Sequence, residues 1–563
     1  MFHKNSLAVR VLAGDNIFFA GVGAIMELAT RDGRVFALAY EEMLHKVLAA
    51  VGWQEVTVFK KIYPYGVIFA LATEYDLTYA GCRVLAITFD LVAAKFQQLQ
   101  LPAFAAEVDY LAYVIEQERF LTLRNIYQEA KKRGLNVYLL ESTLSLGSGR
   151  GVYSANINEI SFSDVPWEQS YEIPSVIVTG TNGKTTTVRL TSFISQYAGK
   201  VVGYCSTDGA VVAGEIVATG DLSGPSGNRT VMTNPAVEVA VLEVARGGLV
   251  KRGLATSSVS AAVVINVSED HLGVNGIESV LDLARTKFIV HNAIRQGGQS
   301  IINLDDELSL QFMAQLSHPK AVISQKLSES AVLAYLSNPA DYAAYVADQA
   351  FYVYRAGQKH FIAPLNAVDL TYKGLAQHNI ENVLIAICLS IELGRTYVEI
   401  QAGLLAFIND EHNLGRFNFF AVHQSKILVD YGHNLAAIEQ MLKFARSIAS
   451  AKTKITLLLG FSGDRKFMID NIAQSVVKHN IDYVILKLFA NHLRGAESGE
   501  VAQLMEQRLI KQGFNGANII ATVATEMEAL ELVLTQLEAE HIYILLCQDD
   551  AAGVIAKIKS QAA

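Results

Sequence analysis

The chain is short of cysteine, of long apolar runs and of positive charge. Its four cysteines, Cys82, Cys205, Cys388 and Cys547, lie far apart in 563 residues. No pair has the spacing of a metal or redox site, and a disulfide framework is not indicated. Reduced thiols in a cytoplasm are the plain expectation. No stretch of about 18 uncharged apolar residues occurs, so no membrane span is expected. The opening Met1-Phe2-His3-Lys4-Asn5-Ser6 lacks a signal-peptide pattern. Lysine and arginine number 46 against 55 acidic residues, for a net charge of -9. Nucleic acid is not expected as the main partner, because phosphate neutralisation needs a basic surface. Internal repeats and low-complexity tracts are also absent.

What is abundant is core material. Hydrophobic residues make up 51% and charged residues 18% of the chain, enough for several cores. The length suggests roughly two to four domains. Residues 104–133 read as one or two amphipathic helices and 136–140 as a strand, followed by Gly147-Ser148-Gly149-Arg150-Gly151. A first domain is expected to close at Tyr171. Beyond Ile173 the rhythm changes. Buried strands at 175–178, 239–244 and 261–267 alternate with helical stretches at 185–197, 277–293 and 374–393. Such alternation predicts a mostly parallel sheet covered on both faces. From Gly415, strands at 427–429, 455–459, 483–486 and 542–546 alternate with helices, which predicts a smaller doubly wound domain.

The strongest local signal is a strand, then Thr179-Gly180-Thr181-Asn182-Gly183-Lys184-Thr185-Thr186-Thr187, then a helix. Glycines let the backbone turn tightly so that its N–H groups face a phosphate, and the helix adds its positive end. Lys184 is placed to neutralise the β- and γ-phosphates, and the Thr185 hydroxyl to ligate Mg²⁺. Val178 stands where a longer phosphate loop has its first glycine, so this is a short G-x-x-G-K-T form.

With strand and loop placed, the segment resembles the Mur ligase family, which joins amino acids to carboxylates using ATP. Three stretches point, within that family, to the Mur-like half of the cyanophycin synthetases. They are Ser206-Thr207-Asp208-Gly209, Gly220-Asp221-Leu222-Ser223-Gly224-Pro225 and Leu242-Glu243-Val244-Ala245-Arg246-Gly247-Gly248. The resemblance implies an α/β chain of three domains. These are an N-terminal α/β domain (1–171), a central P-loop parallel-sheet ATPase domain (172–414) and a Rossmann-like C-terminal domain (415–563). It also implies roles for single residues. Glu243 would hold Mg²⁺ through oxygen, the ligand atom that ion prefers; the alternative is a solvated glutamate at a strand end. Asn266-Val267-Ser268-Glu269-Asp270-His271-Leu272-Gly273 resembles the family's N-x-S-x-D-H-L motif, which makes His271 a ligand of a second metal. Lys287 falls where the family often carries a carbamylated lysine, whose new negative charge serves the metal; a plain helix-surface lysine is the alternative.

Asn303-Leu304-Asp305-Asp306 resembles a structural turn that closes the central sheet. Gln377-His378-Asn379-Ile380-Glu381-Asn382 resembles the family's H-N-x-x-N helix start. Asn379 and Asn382 would then meet an adenine edge, since amides both donate and accept; as helix caps they would serve equally well. Gly415-Arg416-Phe417 resembles the hinge element whose arginine reaches the nucleotide phosphates. Asp430-Tyr431-Gly432-His433-Asn434 resembles a D-Y-A-H-N motif, with Asp430 near the ribose and His433 near base or phosphates. Gly460-Phe461-Ser462-Gly463-Asp464-Arg465-Lys466 and His492-Leu493-Arg494-Gly495 complete the match.

The cyanophycin synthetases carry an ATP-grasp domain ahead of their Mur-like half, and the about 170 residues here are too few for that domain together with the family's N-terminal domain. Ser142-Thr143-Leu144-Ser145-Leu146-Gly147-Ser148-Gly149 resembles their S-L-x-x-L-G-x-G segment, with Thr143 in place of its first Leu, and runs almost directly into the Mur-like part, so an N-terminal domain of that kind without the ATP-grasp module is expected. The expected activity is ATP- and Mg²⁺-dependent amide ligation through an acyl-phosphate. Lys184, Glu243, His271, Lys287 and Arg416 would be the catalytic residues. Gly180, Thr181, Asn182, Gly183, Lys184, Thr185, Thr186, Asn379, Asn382, Arg416, Asp430 and His433 would hold the nucleotide, and Thr185, Glu243 and His271 the metal. Asp208, Ser223 and Arg229 either hold the acceptor carboxylate or are solvated loop residues. The partners would be ATP, a carboxylate acceptor and an amine from an amino acid or peptide. A homo-oligomer stays open. A simple P-loop ATPase or kinase, or a non-catalytic nucleotide-binding scaffold, is the rival reading.

Overall fold

The computed structural model describes residues 4–99, 103–270, 272–488, 497 and 499–562. Its centre is an eleven-stranded sheet. Strand Ser175–Thr179 is buried at every position. Val176 and Val178 face one core and Ile177 the other, as an unbroken apolar run requires of an interior parallel strand. The strand lies between Val239–Glu243 and Val259–Val264, parallel to both. Parallel pairing continues to Val202–Ser206 on one side. On the other side it runs through Ile294–Asn303, Lys320–Ser324 and Tyr342–Ala347.

Both edges of the sheet are antiparallel. Gly209–Val212 and Glu215–Thr219 close one end, and Ala350–Arg355 and Gln358–Pro364 the other. Their turns, at Ala213-Gly214, Asp348-Gln349 and Ala356-Gly357, all have positive φ. That twist matches a hairpin rather than a crossover. Helices Lys184–Tyr197 and Gln377–Glu392 cover one face. Pro225–Met232 and Val280–Phe288 cover the other.

Helix limits differ from expectation where caps intervene. Residues 277–293 are not one helix. The Ser279 hydroxyl accepts the Asp282 N–H and starts the helix at Val280, and a tighter 3₁₀ stretch, Ile289–Ala293, follows it. Residues 104–133 form two helices, Phe104–Glu118 and Leu121–Lys132.

The N-terminal segment folds as a four-stranded antiparallel sheet in the order Leu7–Leu12, Gly23–Ala29, Gly66–Ala72, Val58–Tyr63. Helices Gly33–Ala50 and Thr78–Gln97 pack on one face. By length and composition the segment Tyr75–Gln97 could cross a bilayer, but 72% of its apolar window is buried inside the protein, as in a core helix. A three-stranded sheet, Val137–Leu140, Thr143–Leu146 and Tyr153–Asn156, follows. Asn136 and Glu172 tie it to the central domain: the Asn136 amide donates to Glu172 and to the Ser258 carbonyl.

The C-terminal sheet has six strands, in the order Asn418–Val422, Ser425–Asp430, His541–Leu546, Lys454–Leu459, Tyr483–Lys487, Ile519–Val523. All its pairs are parallel except the first hairpin. The connection between the central and C-terminal sheets is a buried amide network. Asn409 Nδ2 donates to the Arg416 and Phe417 carbonyls and to the Tyr372 hydroxyl. Asn413 Nδ2 donates to Asn409, Thr186 and the Arg416 carbonyl. Asn418 Nδ2 donates to Asp410 and to the Asn409 and Asn413 carbonyls.

Candidate active site

The phosphate loop emerges at the carboxyl end of the central strand, where open α/β sheets bind ligands. Gly180 and Gly183 have φ of 157° and 86°, a region side chains avoid. A Cβ at Gly183 would also overlap the Asn382 amide oxygen. The loop is fixed from the neighbouring strand. The Thr181 N–H donates to the Asn266 carbonyl and the Asn182 N–H to the Asn266 side chain. Thr181 and Ser268 exchange hydrogen bonds of 3.2 and 3.0 Å. Lys184 Nζ folds back onto the Gly180 and Thr181 carbonyls at 3.1 and 3.0 Å. Lys287, fully buried, donates to the same Gly180 carbonyl at 2.7 Å. Burial first, and the Lys184 charge second, push the Lys287 amine well below the usual lysine range.

Glu243 ends the adjacent strand and is fully buried. One of its oxygens accepts the Thr185 hydroxyl at 2.9 Å. The other, Oε1, is buried and takes no hydrogen bond from the described residues. Burial raises its pKa, against the Lys184 charge and the Thr185 bond. A buried carboxylate oxygen with spare lone pairs, next to a hydroxyl, is a donor set suited to Mg²⁺. Among the described residues no group of three or more His, Cys, Asp or Glu side chains is disposed around a metal position. His271 lies outside the described residues, as does the stretch 492–495.

Thr186 turns away from the loop, and its hydroxyl accepts the Asn413 amide of the hinge. Asn379 and Asn382 cap nothing, since Ala376 holds the N-cap position. Asn379 donates to the Leu370 carbonyl, and Asn382 donates to Asn379 and accepts the Thr187 hydroxyl. They sit under the loop as a buried tie. Asp305 and Asp306 do structural work, accepting bonds from Ser324, Gln325, Val267 and Ser309.

The C-terminal sheet is docked over the loop. Asn434 and Asn182 exchange amide bonds of 2.8 and 3.2 Å. Asp270 faces His433 Nε2 at 3.9 Å and Arg465 Nη2 at 3.8 Å. Burial, and then the Arg465 charge, lower His433 to about 4, so it is neutral at pH 7. Asp430 uses both oxygens on backbone, accepting the Phe417 N–H and the Gly432 N–H. Arg416 donates to Thr207 at 3.3 Å, lies 3.6 Å from Asp208 and stacks over Tyr431. Asp208 is thus held by arginines, while Ser223 donates to Asp221. Arg229 sits in the helix Pro225–Met232, where its carbonyl accepts the Thr233 hydroxyl.

Two residues escaped the sequence reading. Arg189 bridges Asp208 at 2.8 Å to the Leu414 carbonyl at 2.8 Å, tying the hinge to the central domain. Its place on the helix after the loop was the available signal. Glu381 accepts the Asn266 amide at 3.2 Å, and burial raises it to about 7.

Residues 178–390 match the Mur ligase middle domain, and residues 415–548 match the Mur ligase, glutamate ligase domain. A cyanophycin synthetase from Nostoc sp. is 33% identical over 341 residues, 60% of this chain and 37% of that protein. One from Geminocystis herdmanii is 30% identical over 388 residues, 69% of this chain and 44% of that protein. The chain therefore spans less than half the length of these relatives. Among solved structures, E. coli FolC in complex with DHPP and ADP is 17% identical with a TM-score of 0.50, covering 69% of this chain and 89% of that one; at that identity the likeness concerns the fold. The two family domains follow one another along more than half of the chain, and the protein belongs to the Mur ligase family.

Proposed function

We propose that the chain is an ATP-dependent ligase that forms an amide bond, with the three domains divided at 171 and 414. It would activate a carboxylate as an acyl-phosphate and pass it to the amine of an amino acid or peptide-like substrate, releasing ADP and phosphate. The observation that carries this reading is the Thr185–Glu243 pair beside Lys184, with one buried Glu243 oxygen left to ligate.

In this reading Thr185 and Glu243 would hold Mg²⁺, and His271 would join them by its place in the motif. The bound ion would supply charge neutralisation at the phosphates. Lys184 exchanges its two loop carbonyls for the phosphates. The acceptor carboxylate attacks the γ-phosphorus in line, and ADP leaves. The amine then attacks the acyl carbon, and phosphate leaves from the tetrahedral intermediate. Fixed cations at the site, Lys184 and Arg416, stabilise the developing charge. The docked C-terminal domain excludes water from the acyl-phosphate. Lys287 is buried, and burial biases its amine toward the neutral form, the form that takes up CO₂, which supports its carbamylation.

The test is an ADP-release screen across carboxylate acceptors and amines, with mass spectrometry of the products. Release that needs both substrates, with a product lighter than their sum by one water, is expected. Release with water or a hydroxyl acceptor alone would mark an ATPase or kinase. A Lys184→Ala variant with full turnover would sink the mechanism.

A further inference from the structure

The described part of the loop 268–277, which leaves out His271, is gripped from three sides. At its start, Ser268 bonds Thr181 of the phosphate loop. Its Asp270 faces His433 and Arg465 of the C-terminal domain. At its far end, Asn275 Nδ2 donates to both carboxylate oxygens of Glu27, at 2.8 and 3.0 Å, across 248 positions of chain.

Glu27 sits on the N-terminal strand Gly23–Ala29, with only 13% of its side chain exposed. Arg10 and Tyr63, from the same sheet, donate to it at 2.9 and 3.0 Å. Around it this face of the sheet carries the buried apolar residues Leu12, Ile25, Ile68 and Ala70, with Lys61 beside Ile68. Well-packed apolar residues would be at least as stable there as a buried ion pair. A buried charge of this kind fixes which group it must meet. The loop needs such fixing. Gly273, Asn275 and Gly276 all have positive φ, at 78°, 54° and 74°, so local sterics alone select the conformation weakly. Gly276 lies against the side chains of Ile68 and Lys61 of the same sheet, and Lys61 approaches Asp282 at 3.8 Å. Burial alone would raise the Glu27 carboxyl, but the bonds from Arg10 and Asn275, the Arg10 charge and the Tyr63 hydroxyl hold it below the usual range. The tether is therefore ionised throughout the neutral range.

We infer that Glu27 is a positioning residue: through Asn275 it sets the turn 272–277, and by chain connection places Asp270 to receive the C-terminal domain. The N-terminal domain thereby acts on the nucleotide site without touching it. The inference deepens the ligase reading and rests on it only for the effect on turnover.

The test combines hydrogen exchange of the full-length protein with Mg·ADP titration by calorimetry, using Glu27→Ala, Glu27→Gln and Asn275→Gly. Glycine keeps the backbone conformation at 275 while removing the amide. Exchange of the 268–277 amides should rise about tenfold in Glu27→Ala and in Asn275→Gly, with no further rise in the double variant. Mg·ADP affinity should fall about tenfold in the same variants, and Glu27→Gln, which keeps an acceptor for Asn275, should recover most of it. Wild-type protection of the loop in Glu27→Ala would overturn the inference. So would faster exchange across the N-terminal sheet with the loop unchanged. If Glu27→Ala does not fold, Asn275→Gly carries the test from the central domain. Neither readout needs turnover. A protein that releases no ADP with any substrate pair, yet loosens this loop, would sink the ligase reading and leave the tether standing.

Discussion

Asn434 has two jobs that can be separated by substitution. Its Oδ1 accepts the Ala437 N–H and caps the helix Leu435–Ser447. The same side chain exchanges two amide bonds with Asn182, across the contact between the C-terminal and central sheets. Asn434→Ser keeps a capping oxygen but is too short to reach Asn182. Two neutral hydrogen bonds at about 1 kcal/mol each give about 2 kcal/mol, or a roughly thirtyfold fall in the ratio of docked to undocked protein. Asn434→Ala loses the same two bonds and the cap as well, a further ~1 kcal/mol. That second loss falls on the C-terminal domain's own stability, and should lower its Tm by about 3 °C relative to serine. Energy transfer between dyes on the two sheets reads the docking, and thermal unfolding reads the cap. The reasoning fails if serine leaves docking unchanged, or if serine and alanine melt together.

Three further outcomes are expected. Gly183→Ala would set a Cβ against Asn382 and force φ of 86° on a residue that avoids it. A loss of about 1–3 kcal/mol in chemical denaturation, with nucleotide affinity falling in parallel, should follow. Glu243→Gln keeps the Thr185 bond and removes a buried charge, so the nucleotide-free protein should melt higher while the Mg²⁺ dependence of ADP binding disappears. Glu381 is raised to about 7 from an ordinary 4.5. A raised acid favours the folded state while it is protonated, so its contribution is complete below about pH 4.5 and is lost as pH rises through 7. Glu381→Gln should flatten this fall, on the order of a few kcal/mol at most, in stability measured by denaturant between pH 4.5 and 7.5.

The features legible in the sequence are those written in contiguous residues. The loop 180–186 could be read because glycine, lysine and threonine must stand at fixed spacing to wrap a phosphate. The strand before it could be read because Val176 to Val178 are apolar on both faces. The expectation for Glu243 came from the family resemblance, which places an acid at the end of another such run. Pairings between distant segments were hidden. Arg189 with Leu414, and Glu27 with Asn275, depend on how whole sheets settle against one another, and no local pattern encodes that. The antiparallel edges of the central sheet were also missed: their turns open on Ala213, Asp348 and Ala356, and the glycines at 214 and 357 come only second, which is a weaker hairpin signal than Asn-Gly or Asp-Gly. The helix expected from Ile277 began late for a similar reason: the Ser279 cap outranks the apolar periodicity that precedes it.

The amides at the connection between the two large sheets carry a consequence for motion. Asn409, Asn413 and Asn418 each point one nitrogen at three acceptors, more than the two protons that nitrogen bears. Rotation at 415–417 can therefore pass a proton's allegiance from one oxygen to the next without any step that strips a buried donor bare. The joint resembles a ratchet with its teeth worn smooth. Opening should proceed by small increments over low ridges, and the angle between the two sheets should be set by what lies in the cleft rather than by the hinge itself.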